Sequence, residues 1–227
     1  MLDTPELRDA YANLLSGIRL SAPFASGKSL LVTSTQPDEG KTTVAACLAI
    51  AASLSGQNVL LIDGDLRRPS LASAAAIESG VGFGEILEGR VETEDAIYPV
   101  ELFEDRGDAG DFCVMGAGRK SPEFLPSVDW SRARITVQSI AARFALVLFD
   151  SPPILAANDA LLLAGIVDGV LLVIDAGRAD RHEVRRAKEQ LEPIGTPLIG
   201  AVLNQFDPKT HGRPNQPYLG YNLKADR

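Results

Sequence analysis

The segment Leu30-Leu-Val-Thr-Ser-Thr-Gln-Pro-Asp-Glu-Gly-Lys-Thr-Thr43 decides the fold of this 227-residue chain. It begins with a short apolar run typical of a buried strand, passes through a loop containing glycine, and enters an Ala-rich stretch that predicts a helix from Lys41 to about Ser55. The loop fits the pattern G-x-x-x-x-G-K-[ST], except that Thr35 stands at the first glycine. In that pattern, backbone N–H groups at the start of a helix surround phosphate groups. We therefore predict a phosphate-binding loop.

Within this loop, two side chains have the clearest predicted roles. Lys41 is expected to reach the β- and γ-phosphates of a nucleotide and to act in catalysis, and the Thr42 hydroxyl is expected to bind Mg²⁺. A Gly-Lys-Thr triplet alone would also fit an ordinary helix start with a solvated lysine, but the strand before it and the helix after it favour nucleotide binding. The predicted nucleotide contacts in the loop are Gln36, Pro37, Asp38, Glu39, Gly40, Lys41, Thr42 and Thr43.

The rest of the chain alternates apolar runs with helical patterns, which predicts an α/β fold. Near-continuous apolar strands separated by helices indicate a doubly wound, mostly parallel sheet with helices on both faces. We predict one domain over residues 1–207 and a C-terminal tail over 208–227, and residues 80–118 show a less regular pattern. Further strands are predicted at 58–63, 112–115, 145–150, 169–175 and 198–203, and further helices at 3–20, 131–143, 159–165 and 181–191.

Acidic residues end three of the predicted strands, namely Asp63, Asp150 and Asp175. Ligands of doubly wound sheets bind beyond the carboxyl ends of the strands, so these acids are expected near the phosphates. A carboxylate at a second strand end is typical of a Mg²⁺ site, and Asp150 supplies one. The alternative is that strand-end acids cap helices or stay solvated. For a single acid, this alternative would be the better explanation. Three acids around one phosphate loop favour the metal site, with Thr42, Asp63 and Asp150 as its predicted ligands.

A second acidic element follows the strand at 58–63, in the sequence Leu60-Leu-Ile-Asp-Gly-Asp-Leu-Arg-Arg-Pro69. Alternation along an extended segment points the carboxylates of Asp63 and Asp65 to one side. One of them could bind metal while the other accepts a proton from an attacking hydroxyl, so both are predicted catalytic residues. Arg67 and Arg68 could both steady the triphosphate or contact an acidic group of a partner, and Arg67 is the one predicted to bind ATP.

The segment after the last predicted strand, Val202-Leu-Asn-Gln-Phe-Asp207, is the candidate base-binding site. Asn204 is predicted to contact the nucleotide, as the adenine-contacting asparagine of related ATPases does. The same segment resembles the guanine-reading N-K-x-D motif with Gln205 in place of lysine, so Asp207 keeps GTP open as an alternative.

The overall charge and the cysteines restrict the class of protein. A formal net charge of −8 disfavours nucleic acid as a partner and disfavours direct binding to an anionic membrane surface. Cys47 and Cys113 lie in apolar runs with no metal-binding spacing, so both are predicted core residues in a reducing cytoplasm. His182 and His211 have no evident partners and are predicted to lie on the surface.

Three segments resemble the bacterial tyrosine kinases of capsule and exopolysaccharide synthesis, in the MinD/ParA-like branch of P-loop proteins. These segments are DGDLRRPSL from Asp63, FALVLFDSPPIL from Phe144 and NDALLLAGIVDGVLLVIDAG from Asn158. The resemblance implies ATP and Mg²⁺ as cofactors and transfer of the γ-phosphoryl group to tyrosines, mostly in the protein's own tail, where Tyr218 and Tyr221 are the predicted acceptors. It also assigns Lys41 and Thr42 to the Walker A motif, Asp63 and Asp65 to Walker A′, and Asp150 to Walker B.

The resemblance also implies partners. Members of the family work beside a membrane-spanning polysaccharide co-polymerase, expected here on a separate chain that recruits a cytoplasmic kinase to the inner face of the plasma membrane. A homo-oligomer is also expected, although the family's ring-sealing motif Glu-x-x-Arg-x-x-Arg aligns with Asp9, Ala12 and Leu15, and only the more distal Arg19 remains. This loss and the sparse tyrosines of the tail favour an alternative: an ATPase switch of the same superfamily without kinase activity.

Overall fold

The computed structural model describes residues 2, 4–77, 80–101, 107–119 and 122–207. Its strands are β1 (Ser29–Ser34), β2 (Val59–Asp63), β3 (Tyr98–Pro99), β4 (Phe112–Met115), β5 (Leu146–Asp150), β6 (Gly169–Asp175) and β7 (Leu198–Asn204). Its α-helices are α1 (Pro5–Leu20), α2 (Lys41–Leu54), α3 (Leu71–Ala74), α4 (Phe83–Glu88), α5 (Trp130–Arg143), α6 (Asp159–Ala164) and α7 (Arg181–Leu191). Short 3₁₀ helices lie at Ala22–Phe24, Thr93–Ala96, Pro122–Ser127 and Glu192–Ile194.

The strands form one sheet in the order β3-β4-β2-β5-β1-β6-β7. Neighbouring strands run parallel except for β3 and β4, which are antiparallel. The strands that follow β1 are first added on one side of it, through β5, and then on its other side, as β6 and β7. The order of the strands therefore reverses beside β1. The predicted α/β, mostly parallel sheet is confirmed, and the phosphate loop follows the interior strand β1.

Two hydrophobic cores cover the two faces of the sheet. Side chains alternate along each strand, so on β1 Leu31 packs into one core while Leu30 and Val32 pack into the other. The first core includes residues of α4, α5, α6 and α7, and the second includes residues of α1 and α2. The prediction of helices on both faces is therefore confirmed, and Cys47 lies buried in the second core as predicted.

The N-terminal helix begins two residues later than predicted, at Pro5, because Thr4 caps it. The Thr4 hydroxyl accepts a hydrogen bond from the Leu7 amide, and Pro5 occupies the first turn. At the other end Arg19 donates to the Ala145 carbonyl at 2.7 Å and to the Gln57 side chain at 2.8 Å, which attaches α1 to the sheet. Among the described residues, no helix is both long and apolar enough to cross a membrane.

The region between β2 and β5 contains the elements that the sequence pattern did not predict. Helix α4 depends on Glu85, which is 7% exposed and accepts hydrogen bonds from the backbone amides of Gly82 and Arg119. Strand β3 has two residues and a proline, which suits only a sheet edge. Both elements are too short to show a clear apolar period in the sequence, and contacts with the rest of the fold, such as those of Glu85, stabilise α4.

Candidate functional site

The predicted site residues meet where β1, β2 and β5 end. Val32 of β1 and Asp63 of β2 are both register partners of Asp150, so the three strands deliver their following loops to the same edge. A cleft of about 400 Å³ opens there. Its lining residues are Pro37, Asp38, Lys41, Thr42, Asp65, Arg67, Arg68, Ser70, Asp150, Pro152, Pro153, Ala156 and Ala157.

The phosphate loop begins helix α2 through a left-handed glycine. Gly40 precedes the helix with a φ of +85°, and its carbonyl accepts the first helical hydrogen bond, from the Val44 amide at 2.9 Å. A Cβ at this position would lie 2.2 Å from the Asn204 amide nitrogen. Glycine is therefore required here for both its backbone conformation and its lack of a side chain.

Glu39 holds the loop in shape from the inside. Its side chain is 3% exposed, and one carboxylate oxygen accepts hydrogen bonds from the Thr35 hydroxyl at 2.9 Å and the Gln36 amide at 2.8 Å. The other oxygen accepts from the Asp175 amide at 3.2 Å. Thr35, which replaces the usual first glycine, thus contributes a hydroxyl donor to this network. The Glu39 carboxylate, predicted to contact the nucleotide, is directed into the loop and does not line the cleft.

Thr42 and Asp150 meet at the base of the cleft. The Thr42 hydroxyl donates to Asp150 Oδ2 at 2.7 Å, which joins the start of α2 to the end of β5. Asp150 is 1% exposed, and its Oδ1 is buried with no hydrogen-bond partner among the described residues. Burial raises the pKa of the Asp150 carboxyl to about 7, the Thr42 hydrogen bond and the charge of Lys41 oppose that rise, and the charges of Asp63 and Asp65 add to it.

The residues at this point fit a magnesium ion. Mg²⁺ prefers oxygen ligands and is usually held by one or two side chains together with waters and substrate phosphates. The Thr42 hydroxyl and the unpaired Oδ1 of Asp150 are oxygen atoms of that kind at one point in the cleft. In the described part of the chain, no three His, Cys, Asp or Glu side chains converge to hold a metal by themselves.

The structure separates the roles of Asp63, which ends β2, and Asp65, which follows it. Asp63 is fully buried, and its oxygens accept hydrogen bonds from the backbone amides of Ser70, Leu71 and Asp65. Burial raises the pKa of the Asp63 carboxyl, and these hydrogen bonds oppose the rise. Asp63 is not a lining residue of the cleft, so here it supports the following loop, and its predicted metal and catalytic roles stay predictions.

Asp65, in contrast, lines the cleft. Its Oδ1 accepts hydrogen bonds from the amides of Arg67 at 3.2 Å and Arg68 at 2.9 Å, and its second oxygen accepts none from the described residues. A carboxylate with one restrained and one available oxygen is suited to accept a proton from a substrate hydroxyl.

The two arginines of this loop are engaged differently. The Arg67 guanidinium forms a bidentate ion pair with Asp159 of α6, with Nε 2.5 Å from Oδ2 and Nη2 3.0 Å from Oδ1. Arg68 lines the same cleft, and its guanidinium forms no ion pair with any described residue. The predicted triphosphate contact of Arg67 stays a prediction. Its guanidinium is paired with Asp159 in this structure, so Arg68 is the cation of this loop that has no ion pair with a described residue.

Asn204 lies beside the phosphate loop. Its side-chain amide donates to the Glu39 carbonyl at 2.9 Å, and Gln205, with a φ of +55°, donates to the Asp38 carbonyl at 3.4 Å. The predicted base contact of Asn204 stays a prediction, since the observed contact is with the protein backbone. Gln36 likewise donates to Glu183 of α7 at 2.7 Å.

Sequence reasoning did not identify Asp159 and Glu183 as members of the site. Asp159 was available in the segment beginning at Asn158, but its partner Arg67 is 92 residues away in sequence. The predicted acceptors Tyr218 and Tyr221, together with His211, lie outside the described residues, while His182 is exposed as predicted.

The fold and the cleft define a P-loop nucleotide-binding protein, with a glycine-started helix, a lysine and a hydroxyl–carboxylate pair at the ends of parallel strands. Comparison with known proteins agrees: the family description "CobQ/CobB/MinD/ParA nucleotide binding domain" matches residues 30–222. The chain belongs to this family and, within it, to the bacterial tyrosine-protein kinases.

The second assignment rests on a close curated relative. The tyrosine-protein kinase YwqD of Bacillus subtilis is 33% identical over 196 residues, which cover 86% of this chain and 80% of that protein. The kinase domain of Escherichia coli tyrosine kinase ETK superposes with a TM-score of 0.74 at 29% identity, over 91% of this chain and 80% of that one. The cell division ATPase MinD of Pyrococcus furiosus has a TM-score of 0.68 at 25% identity, over 83% and 76% of the two chains.

Proposed function

We propose that this protein is an ATP-dependent protein-tyrosine autokinase. The observation that carries the proposal is the meeting of Lys41, the Thr42–Asp150 pair and the available oxygen of Asp65 in one cleft. Phosphoryl transfer is catalysed mainly by positioning and charge stabilisation, and the cleft offers groups for both. The kinases YwqD and ETK, which resemble the chain over most of its length, support the choice of tyrosine as acceptor.

The proposed reaction uses each of these groups at a stated atom. Lys41 Nζ stabilises the β- and γ-phosphate oxygens, and Thr42 and Asp150 would hold Mg²⁺. When bound, that ion would neutralise charge on the phosphates. The tyrosine oxygen forms the new bond to the γ-phosphorus while the bond to the β–γ bridging oxygen breaks. The phenolic proton passes to the free oxygen of Asp65, and ADP leaves.

The four tyrosines of the chain differ in their suitability as acceptors. Tyr11 is 9% exposed in α1, and burial raises the pKa of its hydroxyl, with a further contribution from Cys47. Tyr98 lies in β3 at the sheet edge farthest from β1 and donates to the Asp95 carbonyl at 3.1 Å. Neither position suits transfer from this cleft, which supports Tyr218 and Tyr221 as the acceptors.

The biological setting is part of the same proposal. The resemblance to the kinases of capsule and exopolysaccharide synthesis supports a role in regulating polysaccharide polymerisation and export. A membrane-spanning co-polymerase on another chain would activate the kinase and recruit it from the cytoplasm to the membrane.

The second candidate is an ATPase switch without kinase activity. The loss of the ring-sealing arginines favours it: Leu15, at one aligned position, is buried in the core of this chain, and the more distal Arg19 is engaged with Ala145. Neither is available to a neighbouring subunit. A GTP-binding role has less support, since Asn204 and Gln205 donate to the phosphate loop itself.

One experiment separates the first two candidates. The full chain is incubated with Mg²⁺ and ATP, with and without the cytoplasmic segment of a co-polymerase, and is probed for phosphotyrosine. We expect a signal that is lost in Lys41→Met and in the double variant Tyr218→Phe/Tyr221→Phe, but kept in the matched control Tyr98→Phe. ATP hydrolysis without phosphotyrosine under every condition would establish the ATPase switch instead.

A further inference from the structure

The ion pair between Arg67 and Asp159 joins two of the loops that form the cleft. Arg67 follows β2, and Asp159 begins α6 after β5. Both oxygens of Asp159 accept from the guanidinium, and the Asp159 side chain is 7% exposed against 49% for Arg67. A bidentate pair with a buried carboxylate is geometrically specific, unlike the mobile ion pairs of exposed surfaces.

The backbone of Arg67 contacts Asp65, the predicted proton acceptor. The backbone amides of Arg67 and Arg68 donate to Asp65 Oδ1, which fixes one oxygen of that carboxylate within a tight turn. The tip of the Arg67 side chain is attached to α6 while its amide faces Asp65. The ion pair therefore restrains the turn that sets the orientation of the Asp65 carboxylate.

Helix α6 is a firm support for this restraint because it already packs against the same loop. The Gly64 amide donates to the Asp150 carbonyl at 2.7 Å, and a Cβ on Gly64 would lie 2.8 Å from that oxygen and 2.9 Å from Leu163 of α6. The loop is thus held against α6 at Gly64 through packing and at Arg67 through charge, with Asp65 between the two points.

We propose that Asp159 is a positioning residue for phosphoryl transfer: it anchors Arg67, and through the Arg67–Arg68 turn it orients the Asp65 carboxylate in the cleft. The catalytic part of this inference rests on the proposed function, whereas the positioning of Asp65 does not. The two arginines would then have different roles: Arg67 supports the loop, and the Arg68 guanidinium is available to phosphate.

The positioning is tested first without catalysis, by amide hydrogen exchange in the full chain followed by NMR. We expect Asp159→Asn to accelerate exchange of the Arg68 amide by about tenfold, since a charge-assisted restraint on the turn is lost. The Leu71 amide, held by Asp63 at 2.9 Å, serves as an internal reference that should not change. The control variant Glu94→Gln removes an exposed ion pair with Arg143 and should leave both amides unchanged. An unchanged Arg68 amide in Asp159→Asn would overturn the inference.

The catalytic consequence is tested by ADP formation, because this readout does not require a tyrosine acceptor. We expect Asp159→Asn to lower kcat about ten- to a hundredfold with the KM for ATP within about threefold, and Asp159→Glu to recover much of the loss. In an Asp65→Asn background, Asp159→Asn should cause little further loss of kcat. The carboxylate that Asp159 is proposed to orient is already absent there. Additive losses, or a raised KM with unchanged kcat, would contradict positioning and would instead indicate that Arg67 acts on the nucleotide.

The two proposals fail in different ways. A wild-type protein that forms ADP but no phosphotyrosine would refute the kinase function and leave both tests of Asp159 readable. A protein that forms neither would refute the proposed function, and the exchange of the Arg68 amide would still decide whether Asp159 positions Asp65.

Discussion

Glu39 in the phosphate loop, residues 35–43, and Asp150 in the acidic edge at the ends of β2 and β5 are both buried carboxylates, but their oxygens are engaged in opposite ways. In the phosphate loop Glu39 accepts three hydrogen bonds from the protein, and both of its oxygens are used. At the acidic edge Asp150 keeps one buried oxygen without a partner among the described residues. Burying an unpaired polar atom is costly, so such an atom persists where a ligand satisfies it. The contrast distinguishes a carboxylate that maintains the shape of the loop from one that is available to a ligand.

The largest expected effect tests whether the two regions act together on phosphate. Lys41 lies between them, since it belongs to the loop and its charge opposes the rise that burial causes in the pKa of Asp150. We expect Lys41→Met to reduce phosphoryl transfer about a thousandfold, as removal of a preorganised charge-stabilising group does. ADP formation measures the loss. Lys188→Met, which removes an exposed lysine paired with Glu192, is the control and should retain activity.

The unpaired oxygen of Asp150 predicts a dependence of stability on pH in the metal-free protein. A pKa raised from 3.8 to about 7 means that the folded state binds a proton that the unfolded state has released. The free energy of unfolding should therefore fall as pH rises from about 4 to about 7, by up to about 1.4 kcal/mol per pH unit, and level off above that. Urea unfolding in EDTA measures the slope. Asp150→Asn should make it shallower and leave the contribution of Asp63, whose pKa burial also raises.

Asp168 provides a control of opposite sign. Burial would raise the pKa of its carboxyl, but hydrogen bonds from the Lys28 and Ser29 amides and the Ser29 hydroxyl outweigh burial and lower it. Asp168 therefore stabilises the fold above its unfolded pKa of about 4, and this contribution is lost as pH falls through its folded pKa. Asp168→Asn should lower the free energy of unfolding at all pH values above about 4, and it should change the pH dependence in the acid limb only. If Asp150→Asn left the neutral slope intact, the distinction between the two regions would not hold.

Glu39 tests the supporting role of the phosphate loop. Glu39→Ala would leave the Thr35 hydroxyl and the amides of Gln36 and Asp175 without their acceptor, and we expect a loss of about 2–3 kcal/mol in the free energy of unfolding. Urea denaturation without nucleotide measures it. Glu189→Ala, on the exposed face of α7, should change stability by less than about 0.5 kcal/mol. A similarly small effect at Glu39 would mean that its contacts do not stabilise the loop.

The smallest expected effect is on the free energy of unfolding, when Gly40 at the start of α2 is replaced by alanine. Gly40 and Gly195 have nearly equal φ values, +85° and +81°, but only Gly40 has a neighbour within 4 Å of an added Cβ, namely Asn204. We expect Gly195→Ala to cost about 1 kcal/mol from backbone conformation alone and Gly40→Ala to cost more, because Asn204 must also move. Equal unfolding free energies for the two variants would show that the Asn204 contact is readily displaced.

Much of this molecule was predictable from local pattern. Strands β4 and β6 and helix α7 have the predicted bounds, since each is a run whose apolar periodicity is set by its own residues. The helices α3 and α4 and the strand β3 were not predicted, because they are short and depend on partners such as Glu85. The cleft residues were predictable because they belong to local motifs; they are Lys41, Thr42, Asp65 and Asp150. The ion pair of Arg67 was not predictable, because its partner is distant in sequence.

The sequence by itself determined the alternating α/β architecture, the position of the phosphate loop and the set of acids at strand ends. These follow from hydrophobic periodicity and from the backbone requirements of a glycine before a helix, both of which are local. Only the tertiary structure decided which acids support the loops and which face the cleft. The deciding contacts are Thr42 with Asp150, Arg67 with Asp159 and Asn204 with Glu39, across 108, 92 and 165 residues of sequence. The order of the strands in the sheet determines such contacts, and no local pattern encodes that order.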